Sequence, residues 1–211
     1  ISNNIMKISS NAHGYSRSAL SFILLIAFAV VFSACNLLKN PFDHDDDHHD
    51  DYDHDVITTV KMSLGMQGTN DTLDFVWEDL DGVGGNNPNR IDTVKLEAGK
   101  SYGGVLTLLN MTKTPAEDMS KEVRDHADEH QVFYTLNGVT GTTLGTVTVT
   151  DSDGRNLPLG LNFSIDIDSA RAGSSGTMRV TLYHYHNTSD KNGTDPASET
   201  DLEVNFPVVV R

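Results

Sequence analysis

From Val56 to Arg211, apolar and polar residues alternate mostly with period two, the signature of strands buried on one face. Val56, Thr58, Val60, Met62 and Leu64 fall on one face of a first strand, and Leu73, Phe75 and Trp77 on one face of a second. The pattern predicts further strands at 91–96, 102–109, 132–136, 146–150, 159–167, 177–186 and 202–210. Between them lie turn signals: Glu97-Ala98-Gly99-Lys100, Asn137-Gly138, Asp151-Ser152-Asp153-Gly154 and Ala172-Gly173-Ser174-Ser175-Gly176. About nine short strands punctuated in this way predict a mainly β domain over 56–211, an immunoglobulin-like antiparallel β-sandwich.

One segment departs from period two. Thr114-Pro115-Ala116-Glu117 has the form of a capping box with proline at the first helical position, which predicts a single inserted helix over about 115–130. Met119, Val123 and Ala127 would form its packing stripe. Glu117, Asp118, Glu122, Asp125, Asp128 and Glu129 make its outer face acidic.

The N-terminal pattern reads as an address. Lys7 and Arg17 precede an apolar run over 19–32, too short for a spanning helix of about 20 residues. Met6 is the expected translation start. Phe32-Ser33-Ala34-Cys35 resembles a bacterial lipoprotein signal, with Phe32 where leucine is usual. That resemblance implies a signal peptide over 1–34, cleavage before Cys35 and lipidation of Cys35, which anchors the mature chain to a membrane. The alternatives are an ordinary secretory signal cut nearby, or an uncleaved anchor. Cys35 is the only cysteine, so no internal disulfide and no cysteine-built metal cluster can form.

Charge sharpens this picture. The 211 residues carry 15 Lys plus Arg against 30 Asp plus Glu, a net charge of −15, and loss of Lys7 and Arg17 would leave −17. Such a chain lacks the clustered cations that bind phosphate backbones, which argues against nucleic acid as a partner. Much of the acidity sits in residues 43–55, which hold eight aspartates and four histidines. Without aliphatic residues this tract cannot bury a core, and it is expected to be a disordered tether over 35–55 reaching at most about 70 Å. His44, His48, His49 and His54 with Asp45, Asp47 and Asp51 also offer the imidazole and carboxylate donors that zinc, copper and nickel accept. Its sites are expected to be weak and multiple, and to fail below about pH 6 as the histidines protonate. The alternative is a solvated spacer.

Within the domain, Glu122, His126 and His130 stack along one side of the expected helix, and His184 and His186 share a side of a later strand. Convergence of these two elements would make a site for zinc or copper. Otherwise His126 is an exposed helix residue, His130 interacts with the helix C-terminus, His184 is a hydrogen-bonded strand residue and His186 begins a loop. Asp79 and Asp81, in a carboxylate- and glycine-rich loop, could ligate calcium, although the spacing departs from the EF-hand frame.

No nucleophile beside a base, phosphate-cradling glycine loop or zinc-protease helix motif is present, so no enzymatic activity is expected. The lipobox, the acidic tether, the Pro115-Ala116-Glu117-Asp118 start, Glu129-His130-Gln131-Val132-Phe133-Tyr134 and Glu199-Thr200-Asp201-Leu202-Glu203-Val204 together resemble small, poorly characterised lipoproteins of Bacteroidota. Members of that group sometimes carry the label type 1 periplasmic binding fold superfamily. Such a fold needs two lobes of alternating strands and helices, which one helix among nine strands cannot build. The resemblance implies an exported protein anchored to the outer membrane, on its periplasmic or its surface face. The expected function is divalent transition-metal binding by the tether and the domain, as accessory to an outer-membrane receptor of the TonB-dependent kind. The alternative is a structural or adhesive module binding a protein or glycan.

Overall fold

A computed structural model describes residues 56–82 and 85–211. The expected signal peptide, Cys35 and the tether donors His44, His48, His49, His54, Asp45, Asp47 and Asp51 lie outside the described residues. The described chain is mainly β, with one α-helix, as its periodicity predicts.

Among the described residues eleven strands form two sheets. The first contains β1 (Thr59–Met66), β2 (Thr72–Glu78), β3 (Arg90–Ile91), β5 (Ser101–Asn110), β8 (Gly145–Val149) and β9 (Asn162–Ile167) in the order β3-β2-β1-β5-β9-β8, with β6 (Glu117–Asp118) also paired to β5. The second contains β4 (Val94–Leu96), β7 (His130–Gly138), β10 (Ser175–His184) and β11 (Glu199–Val210) in the order β4-β11-β10-β7. All pairs are antiparallel except β4 with β11. Alternate residues of both sheets, among them Met62, Leu108, Ile165, Val180 and Phe206, fall in one buried cluster. Burial of this alternating set is the main force that holds the body together. At Gly104 of β5 the Phe163 ring from β9 lies where a Cβ would stand, so glycine is required there by close packing. Val56, assigned to the face of the first strand, is instead exposed and precedes β1.

The predicted strand over 91–96 divides in two, and Asp92 is the cause. Its backbone N–H donates to the Val76 carbonyl at 2.9 Å and its carboxylate accepts the Val76 N–H at 2.9 Å, while Arg90 grips the same carboxylate through two nitrogens. That knot ends β3 in the first sheet and lets the chain cross to β4 in the second.

The helix, α1 (Met119–Asp125), is seven residues long rather than the sixteen or so expected over 115–130. Residues Glu117 and Asp118 continue the ladder on Leu109 and Asn110, so the capping box at Thr114 starts no helix. Asp118 is the true N-cap, its carboxylate accepting the Ser120 N–H at 3.0 Å. Met119 and Val123 are buried as the stripe requires, and the buried Ser120 hydroxyl accepts the Leu108 N–H at 2.7 Å, fastening α1 to β5. The helix stops at His126 because the segment 130–138 has a strand's alternation and pairs with β10. Among the described residues no helix is long and apolar enough to cross a membrane.

Candidate metal centre

His130 opens β7 and His184 closes β10, and the antiparallel register sets them directly opposite each other. They continue the core-facing row Leu136–Met178, Tyr134–Val180 and Val132–Leu182, so both side chains lie on the inner face of the second sheet where the apolar core ends. Their rings stand 4.6 Å apart.

The third member comes from β11. Leu182 pairs with Leu202 and Tyr183 with Thr200, so Asp201 is an extra residue, a β-bulge. In a regular strand Asp201 would share the outward face of Glu203 and Asn205. The bulge re-aims it: one carboxylate oxygen lies 3.6 Å from His130 Nε2 and the other 3.9 Å from His184 Nδ1. One ligand atom from each of His130, His184 and Asp201 lies within 4.8 Å of the other two, a group that could hold a metal ion. These separations exceed hydrogen-bond lengths. They approach the edge of a tetrahedron of zinc ligands, about 3.4 Å for bonds of about 2.1 Å.

The tautomer of His130 suits a ligand. Its Nδ1 lies 3.0 Å from the His126 carbonyl, which can only accept, so Nδ1 carries the proton and Nε2 presents its lone pair toward Asp201. Burial pushes the His130 pKa down, helped by the adjacent His184, and this outweighs the His126 carbonyl, Asp201 and Glu129. That shift favours the neutral ring, the form that binds metal.

A second pair adjoins this group. His186 Nε2 lies 2.6 Å from Glu199 Oε2, and the His184 and His186 rings are 5.5 Å apart. His184 and His186 border a cleft of about 350 Å³ with Asn187, Asp190 and Pro196.

The helical stack of Glu122, His126 and His130 does not form, because the helix ends before His130. His126 is exposed, and its ring pairs with Glu122 at 3.1 Å and Glu129 at 3.6 Å, outside the group of three. His130 and His184 meet through strand register rather than through a helix packed on a strand. Asp79 and Asp81 are neighbours as well. Burial raises the Asp79 carboxyl, and a hydrogen bond with Asp81 raises it further, while Asn86 donates to Asp81 and lowers it. That pair supplies at most four of the six to eight oxygens calcium takes.

Asp201 and Glu199 were absent from the sequence-derived set. The only signal was the register of β11 against a strand ending in His-x-His, and the bulge hides it. Lys191 was equally invisible. Its buried ammonium donates to the Asp153 carboxylate at 3.1 Å and to the Ala127 carbonyl at 2.7 Å, clasping the loop after β10 to the turn that leads into His130. Arg155 adds a bond to the Asp128 carbonyl at 3.0 Å, and Gln131 one to the Gly193 carbonyl at 3.1 Å. No protein family, curated protein or solved structure matches the chain.

Proposed function

We propose that this protein is a non-enzymatic lipoprotein, anchored through Cys35 to the outer membrane, that binds a divalent transition metal, zinc or copper. The observation that carries this reading is the approach of His130, His184 and Asp201 to within 4.8 Å of one another at the rim of the core. Two imidazoles and a carboxylate, with a backbone carbonyl orienting one ring, are the donor set and support of a transition-metal site. The tether over residues 43–55 would raise the local cation concentration, and the body would hold one ion firmly. An accessory role beside a TonB-dependent uptake receptor follows from collecting a scarce cation at that membrane.

The test is calorimetric titration of zinc and of copper into the chain from Cys35 onward, carrying Cys35→Ser, beside the same chain with His44, His48, His49 and His54 changed to alanine. One tight equivalent retained in the second protein is the expected result. Binding that vanishes with the tract histidines would reduce the metal to a local buffer, and no binding in either above millimolar background would end the reading.

A second reading, a structural or adhesive module on an immunoglobulin-like sandwich, is favoured by the outer face of the second sheet. Phe133 and Tyr183 meet edge to face at 5.4 Å beside adjoining clefts of about 340 and 200 Å³ that share Thr135 and Arg179. Aromatic, hydroxyl and guanidinium groups on one face suit a protein or glycan partner. On this reading a neutral linker of equal length in place of residues 43–55 leaves cell-surface adhesion unchanged. Adhesion lost with that linker would sink it.

A further inference from the structure

Five side chains with metal-ligating atoms form a graded file from solvent to core. Side-chain exposure falls from 50% at His186 to 23% at Glu199, 21% at His184, 14% at Asp201 and 8% at His130. Neighbours are close: His186 lies 2.6 Å from Glu199, which pairs with His184 across the ladder. The His184 ring stands 5.5 Å from that of His186 and 4.6 Å from that of His130, and Asp201 lies beside both His184 and His130. The outer end opens on the cleft bordered by Asn187 and Asp190. The inner end, His130, is buried.

A hydrated divalent cation must shed its waters before the inner ligands replace them, and that loss is a barrier at a group whose side chains are only 8 to 21% exposed. Donors that can replace waters one at a time remove that barrier. We propose that His186 and Glu199 form an outer docking subsite, through which a transition metal enters and leaves the inner group by stepwise ligand exchange with His184. This inference rests on the reading that His130, His184 and Asp201 hold the metal. It adds a route to that site: the ion is captured at His186 and Glu199, passes to His184 as one outer ligand is released, and settles when Asp201 and His130 close on it.

A subsite on the path alters both rates and leaves the end states alone. A resting ligand alters affinity, and a merely structural pair alters neither. The experiment uses the chain from Cys35 with Cys35→Ser and the four tract histidines changed to alanine, so that the inner group is read by itself. Zinc association is followed by stopped flow against a chromophoric chelator, and dissociation by transfer to excess chelator, for the parent, His186→Ala, Glu199→Gln and His186→Asp. In His186→Ala and Glu199→Gln both rates should fall by about tenfold, the lower end of what outer-shell substitutions cost, with Kd within about threefold. His186→Asp, which restores a donor, should recover most of both rates. Unchanged rates in His186→Ala would overturn the route while leaving the inner site standing. A Kd that worsens as far as in His184→Ala would overturn it too, by making His186 a resting ligand. A parent that binds no zinc would overturn the metal reading itself, and the route with it.

Discussion

Lys191→Met should cost about 3 to 5 kcal/mol of stability, the penalty for removing one partner of a buried ion pair. Both side chains of the pair are fully inaccessible to solvent. Burial alone would lift the Asp153 carboxyl, but the Leu157 N–H, the Lys191 ammonium and the Arg155 N–H together hold it below the usual carboxylate range. Burial lowers the Lys191 pKa further than Asp153 can restore it, so the cost of enclosing the pair sits on the lysine. With methionine at 191, Asp153 stays charged and buried with only part of its support. Thermal unfolding should shift down by roughly 10 °C, at about 2 to 4 °C per kcal/mol for a domain of this size. Lys191→Met with Asp153→Asn should recover most of the loss, because the amide oxygen still accepts from Arg155 and Leu157 without a stranded charge. A single variant within about 1 kcal/mol of the parent would mean that the clasp is not the main restraint on the loop after β10.

The clasp also bears on the candidate centre. Lys191 holds the Ala127 carbonyl, next to the His126 carbonyl that fixes the His130 ring. Loosening the turn frees that ring, so the stability loss should be accompanied by weaker zinc binding even though Lys191 touches no ligand.

Much of the fold was legible in period-two burial, because alternation reports which face of a strand leaves water wherever the partner strand lies. The rows Val60-Met62-Leu64 and Met178-Val180-Leu182 are buried as the pattern demands. What failed was decided by pairings between distant residues. The capping box at Thr114 is a local signal, outcompeted by the ladder of Glu117 and Asp118 on Asn110 and Leu109. The strand over 91–96 looks continuous until Asp92 is seen to occupy the edge of β2. Of the candidate centre, His130 and His184 were visible as residues but their meeting was not, since a cross-strand register of more than fifty residues leaves no local trace. Asp201 was hidden further, because one extra residue in β11 reverses the face that alternation would give it.

That reversal is why removing Asp201 and removing His184 should have different signatures. His184→Ala takes away one of the three candidate ligands and should weaken zinc binding by more than about 100-fold, beyond the roughly 10- to 100-fold scale of outer-shell losses. His126→Ala, by contrast, removes a ring already engaged by Glu122 and Glu129 and should leave affinity unchanged. Asp201→Asn keeps the bulge and the shape of the side chain but exchanges a charged oxygen donor for a neutral one, so affinity should fall while the melting temperature of the metal-free protein stays close to the parent's. Each affinity is measured by competition with a chelator of known strength, in the background with the tract histidines replaced. Equal affinities for His184→Ala and His126→Ala would mean that the cross-strand pair is structural. A fall confined to His184→Ala and Asp201→Asn would instead assign the metal to the site built by the register of β7, β10 and the bulge in β11.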